Sequence, residues 1–196
     1  KNLVLAADRS SAYAVVPSEN RVVQIDVAQR AVGATYDVGV CPDALAVVGS
    51  LLFYTYGCNN HCSHCYNEPD RLDMASLTAP EWKRVIDVLH RVGVPHLIFT
   101  GGEATLHPDL PELIHYADDL GHICGLNTNG RRIAHLPFMQ TLADSGLNHI
   151  QVTVASSRAE LHDAINGATA WKQTIRGIEN AMSVGVHAIT NTTLMQ

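Results

Sequence analysis

The sequence predicts an α/β fold: a parallel sheet wound by alternating strands and helices, preceded by a small antiparallel β segment. Two observations predict it. From about Val94 onward, short apolar runs alternate with amphipathic stretches, and each helical stretch is closed by glycine. Before about residue 50 the runs are short and β-like, with no long helix pattern between them.

The β-like runs are LVLAA, AYAVV, RVVQIDV and AVGATYDV, and Pro17-Ser18-Glu19-Asn20 is a turn signal between the second and third. They define a β-rich segment over residues 1–50, ahead of an α/β unit over residues 51–196. LLFYTY (51–56) is the first strand of that unit. Thr78-Ala79-Pro80-Glu81 is a capping box with proline in the first turn, and it opens a helix that ends at Gly93. HLIFT (96–100) is the second strand, and DLPELIHYADDL (109–120) is the helix that stops at Gly121. ICGLNTNG (123–130) follows as a strand, then LPFMQTLADS with Gly146, then the strand HIQVTVA (149–155). WKQTIRGIENAMSV with Gly185 is the last helix, and HAITNTTLM the last strand. Five strands separated by four helical stretches argue parallel pairing through crossovers. In such folds function gathers at the carboxyl ends of strands.

Composition excludes several classes. The chain has 196 residues, 46% hydrophobic and 16% charged, with a formal net charge of −6. That suits a sizeable core and gives no electrostatic footprint for non-specific nucleic-acid binding. No apolar run approaches the roughly 20 residues of a membrane helix, and no signal-peptide core opens the chain. A reducing cytoplasm is the expected setting. Lys1 in place of an initiator Met, and the β-like ITNTTLMQ at the other end, suggest part of a longer polypeptide, cut after the fifth strand.

Chemistry concentrates in CNNHCSHCYNEP (58–69), where three of five cysteines fall within eight residues. An odd count without a secretory signal argues against a disulfide framework and for thiolate ligands of a soft metal centre. Zinc would take a fourth ligand, and His61 or His64 could supply it. A cubane cluster would take three thiolates and leave one iron open. Spacing alone leaves both readings standing. The next strand ends in Gly101-Gly102-Glu103, where successive glycines admit a ligand close to the backbone and the carboxylate can accept from an ammonium group. Alone, that turn is a weak signal. One β/α unit after the cysteine loop it becomes specific, and Asn127-Thr128-Asn129 closes the third strand on the same rim.

Together these motifs closely resemble the radical S-adenosylmethionine (SAM) enzymes. Cys58, Cys62 and Cys65 match the family's CX3CX2C loop, and Gly101, Gly102 and Glu103 match its GGE motif. The similarity covers roughly residues 50 to 196 and includes NTNG (127–130) and LHDAING (161–167). It implies a partial parallel (β/α) barrel of radical SAM type with a [4Fe–4S] cluster on Cys58, Cys62 and Cys65, and SAM chelating the open iron. Reductive cleavage would then yield methionine and a 5′-deoxyadenosyl radical that abstracts a substrate hydrogen. Gly101, Gly102 and Glu103 would hold the SAM amine, and Asn127 and Thr128 lie where ribose contacts arise. His64 takes the aromatic position inside the loop, Tyr66 follows it, and Thr153 and Ser156 are further candidate SAM contacts.

The chain departs from the family pattern in places. Ala104 stands where proline is usual, Ala155 where many relatives are acidic, and Asn166 where they carry arginine. The last two changes put the SAM-carboxylate contact in question; Arg176 is a possible substitute, though an exposed helix arginine is the simpler reading. Cys41 and Cys124 read as structural, His107 as a loop-positioning residue, and His90 and His115 as surface or boundary residues. His162 and Asp163 read as a local structural hydrogen bond.

The substrate reading comes from the same resemblance. TYGCNNHCSHCYNEP and the β segment before it look similar to maturases of ribosomally made peptides. That implies a peptide substrate, a leader-peptide-binding partner and a reductase or flavodoxin-type electron donor. Alternatives are a radical SAM enzyme acting on a cofactor, lipid or RNA, or a non-catalytic zinc or iron–sulfur interaction module.

Overall fold

The computed structural model describes residues 3–5, 11–16, 21–37, 50–55, 57–65 and 76–194. Cys41, Tyr66 and the predicted turn at 17–20 lie outside these residues.

Strands β1 (Leu3–Leu5), β2 (Ser11–Val16), β3 (Arg21–Asp26) and β4 (Ala31–Asp37) pair antiparallel in sequential order. This is the small β segment the sequence predicts. The link between β3 and β4 turns on Asp26, whose carboxylate accepts the Gln29 N–H at 2.7 Å.

The second sheet is β5 (Ser50–Thr55), β6 (His96–Gly101), β7 (Ile123–Thr128), β8 (Leu147–Thr153) and β9 (His187–Asn191). All neighbours pair parallel and the spatial order is the chain order. Sequential parallel order is the winding of a (β/α) barrel; a doubly wound sheet reverses direction partway. The crossovers are α1 (Ala79–Arg91), α2 (Leu110–Asp119), α3 (Leu136–Asp144), and the pair α4 (Ala159–Asn166) and α5 (Trp171–Ser183). The fourth helical stretch is therefore two helices, broken at Gly167.

The start of α1 follows the predicted capping box. The Glu81 carboxylate accepts from the Thr78 N–H at 2.8 Å and the Thr78 hydroxyl at 2.7 Å. Alternation along the strands then divides the sheet's two faces. Leu97 and Phe99, Cys124 and Leu126, and Ile150 and Val152 join a core with Ile86 of α1, Ile114 of α2, Met139 and Leu142 of α3 and Ala181 of α5. Each fully buried aliphatic or aromatic side chain contributes roughly 1.5–3 kcal/mol. The intervening residues Asn127, Gln151 and Thr153 turn to the other face, toward the cavity described next.

Candidate functional site

Where the strands end, one cavity of about 200 Å³ opens. Cys58, Cys62, His64 and Cys65 line it from the loop after β5, and Gly101, Gly102 and Glu103 from the end of β6. Asn127 and Thr128 from β7 and Thr153 from β8 complete the predicted set. Ser156 is not among the lining residues; its hydroxyl accepts the Arg158 N–H at 3.1 Å and shapes the turn before α4.

The cysteine loop is held from two sides. On one, the end of α4 has carbonyls with no intrahelical partner, and the loop satisfies them. The His61 N–H donates to the Asn166 carbonyl and the Ser63 N–H to the Ile165 carbonyl, both at 2.9 Å. The Cys62 thiol donates to Asn166 Oδ1 at 3.2 Å. Asn166, met in the sequence as a departure from a family arginine, thus braces a cysteine. On the other side, Asn129 Nδ2 donates to Asn59 Oδ1 at 2.7 Å, and Arg131 Nη1 donates to Asn60 Oδ1 at 2.9 Å and to the Asn59 carbonyl.

Glu103 is 1% exposed, yet its carboxylate is well supplied with donors. Oε1 accepts from the Thr105 N–H at 3.2 Å, the Thr105 hydroxyl at 2.6 Å and the Thr128 hydroxyl at 2.7 Å. Oε2 accepts the Asn129 N–H at 2.7 Å. A carboxylate offers about four acceptor sites; two of these bonds are local, to Thr105, and two tie the end of β6 to the end of β7.

The Cys62 thiol responds to its neighbours. Burial pushes the Cys62 thiol above its ordinary value, and the neighbouring charges of Cys58 and Cys65 push the same way. Three thiolates crowded in one partly buried cavity therefore need positive charge among them, which the irons of a cluster supply. Among the described residues no three His, Cys, Asp or Glu side chains are grouped to hold a metal ion. The three ligands of a cubane each take a different iron, so they need not meet at one point. The donor set fits the cluster.

A family profile for the radical SAM superfamily matches residues 52–196. This chain belongs to the radical SAM superfamily. It is 37% identical over 142 residues to the AdoMet-dependent heme synthase of Oleidesulfovibrio alaskensis, covering 71% of this chain and 36% of that protein. It is 34% identical over 133 residues to the mycofactocin maturase MftC of Mycobacterium ulcerans, covering 67% and 35%. Streptococcus suis SuiB bound to its precursor peptide SuiA shares the fold with a TM-score of 0.67 at 21% identity, over 75% of this chain and 33% of that one. This radical SAM chain spans about a third of the length of these relatives.

Other predicted residues of the radical SAM chain fall into place as structure. His107 positions its loop, with Nε2 3.0 Å from the Leu77 carbonyl and Nδ1 accepting the Asp109 N–H at 3.2 Å. Cys124 is buried against the Ile114 and His122 carbonyls, and burial pushes its thiol up to about 12. His90 and His115 are exposed, and Arg176 is an exposed helix residue paired with Glu179 at 3.2 Å. The expected His162–Asp163 hydrogen bond is corrected. Asp163 accepts instead from the Ala170 and Trp171 N–H groups, at 2.9 and 2.8 Å, and so caps α5. His162 is 0% exposed and stacks edge-on against Trp171 at 5.3 Å.

The sequence reading did not single out Asn60, Arg131, Gln151 and Asn191. For Asn60 the signal available was its place in the amide-rich CNNHC loop, since asparagine there marks turns that bind backbone; Arg131, Gln151 and Asn191 carried no comparable signal.

Proposed function

We propose that this chain is the cluster- and SAM-binding portion of a radical SAM enzyme that modifies a ribosomally synthesised precursor peptide. The observation that carries the reading is the convergence of Cys58, Cys62, Cys65, Gly101, Gly102 and Asn127 on one cavity. In this reading Cys58, Cys62 and Cys65 hold a [4Fe–4S] cluster, and Gly101, Gly102 and Glu103 hold the SAM amine. Asn127, Thr128, Thr153 and Ser156 contact SAM, and His64 and Tyr66 are further cofactor-binding residues. Bound together, cluster and SAM supply one-electron reductive cleavage of SAM and hydrogen-atom abstraction from the substrate. The chain's part is to fix the ligands, orient SAM and keep water from the reacting centre.

A peptide substrate is favoured by the likeness to MftC and to SuiB, which was crystallised with a precursor peptide. The exposed residues 31–35 of β4 suit capture of an extended peptide segment by strand addition. The β segment of residues 1–50 then serves recognition and residues 51–196 the chemistry, with a leader-binding partner and a flavodoxin-type or reductase electron donor. Among the described residues no helix is long and apolar enough to cross a membrane. The heme synthase relative favours a second reading, in which the substrate is a cofactor.

The test is anaerobic reconstitution of the full-length protein, reduction with dithionite, addition of SAM and chromatography for 5′-deoxyadenosine. Product that vanishes in Cys62→Ala supports the reading; an active iron-loaded variant lacking all three cysteines overturns it. A mass change in a candidate precursor peptide then supports the peptide substrate, and its absence alongside turnover of a tetrapyrrole supports the second reading.

A further inference from the structure

Asn166 is the last residue of α4 and is 2% exposed. The Cys62 thiol donates to its Oδ1 at 3.2 Å. Its backbone carbonyl accepts the His61 N–H, and the Ile165 carbonyl accepts the Ser63 N–H, both at 2.9 Å. These main-chain bonds on either side of Cys62 hold the sulfur at a set distance from the amide. Among the described residues Asn166 Nδ2 donates to nothing, so the amide can exchange its two ends by rotating about its last side-chain bond. Iron is ligated by a thiolate, not a thiol. Once Cys62 is a ligand it has no proton to give, and sulfur and Oδ1 would then face each other as two acceptors at 3.2 Å. Turning the amide removes that conflict and puts a donor on the sulfur.

We propose that Asn166 presents its NH2 to the Cys62 sulfur in the loaded protein and so raises the reduction potential of the cluster. The inference rests on the cluster reading above. Reduction adds negative charge that the ligand sulfurs share, so a donor on one of them stabilises the reduced state more than the oxidised one. The amide is buried, where such a bond is electrostatically stronger than in water. Asn166 acts through Cys62 as a positioning residue and takes no part in bond making.

The test uses the full-length protein reconstituted anaerobically, with iron counted and the midpoint potential read by EPR-monitored titration. SAM is left out, because Asn166 also lines the cavity and a contact with SAM would confuse the reading. Asn166→Ala deletes the donor and is expected to lower the reduced-to-oxidised ratio about tenfold at fixed potential, a shift of about 59 mV to more negative values. Asn166→Asp keeps the shape but sets a carboxylate against the sulfur, and is expected to shift further the same way. EPR reports only the loaded fraction, so partial iron loss does not obscure the result. A residue that merely seated the loop would alter unfolding or iron content and leave the potential unmoved. An unchanged potential in both variants therefore overturns the inference. Loss of all iron from both assigns Asn166 to seating the loop and overturns it as well; if only one variant loads, that variant decides. A wild-type protein that takes up no iron–sulfur cluster overturns the cluster reading, and this inference with it.

Discussion

Gly167 ends α4 in the left-handed conformation, at φ 58°, pressed so closely on the cysteine loop that a Cβ there would lie 2.5 Å from the His61 carbonyl oxygen. Two requirements meet at this residue: a positive φ and the absence of a side chain. Gly167→Ala should cost roughly 1–2 kcal/mol from the backbone alone. At about 2–4 °C per kcal/mol, differential scanning calorimetry would read this directly. Because the clash falls on the loop, iron bound per chain should also drop. Full iron content with an unchanged melting temperature would refute the prediction.

Glu103→Gln tests the brace between β6 and β7. The amide has one oxygen for the donors that now share two, and its NH2 would face the Asn129 N–H or the Thr128 hydroxyl. Each buried donor left unmatched costs about 1–3 kcal/mol. Urea unfolding of the cluster-free protein should show the loss, separating this role from any contact with SAM.

Stability should fall with acid in two windows. Burial, followed by the charges of His96 and His187, holds His149 below its ordinary value near 6.5, and burial lowers His122 and His162 as well. The unfolded chain therefore takes up these protons first, and stability declines as pH drops below about 6.5 toward the folded values. Asp163 is depressed from its ordinary 3.8 by the Trp171 and Ala170 N–H groups, so its contribution is complete above that value and is lost as pH falls through the folded one. Melting temperatures across this range should show His149→Gln flattening the upper window and Asp163→Asn removing its share of the lower.

Thiol labelling should separate the cysteines. With its thiol pushed up to about 12 and its side chain buried, Cys124 should resist iodoacetamide in the folded, cluster-free protein. Cys58 and Cys65 should alkylate, as read by peptide mass mapping. Rapid modification of Cys124 without unfolding would contradict its place in the core.

Most of the parallel sheet was legible in the sequence, because strand and helix periodicities alternate cleanly and Thr78, Pro80 and Glu81 mark a helix start in local chemistry. The rim position of Cys58, Gly101 and Asn127 followed from topology alone. What joins these motifs was hidden. Cys62 and Asn166 lie 104 positions apart, and Arg131 and Asn60 lie 71 apart; no periodicity reports such pairs. Asp163 misled for a related reason. Its neighbour His162 is adjacent in sequence, but the helix turns the two apart and offers Asp163 the free N–H groups of α5 instead.

The attachment of the cysteine loop to α4 also sets an order of events during synthesis. The loop leaves the ribosome 104 residues before the asparagine that braces Cys62, a wait of about 5–20 s at ordinary elongation rates. Throughout that interval its thiols lack the helix end, and until the chain has passed Arg131, 71 positions after Asn60, they lack the β7 turn as well. Insertion of the proposed cluster into a preformed loop would have to follow folding of the fourth crossover, so maturation of that proposed centre would wait for the protein.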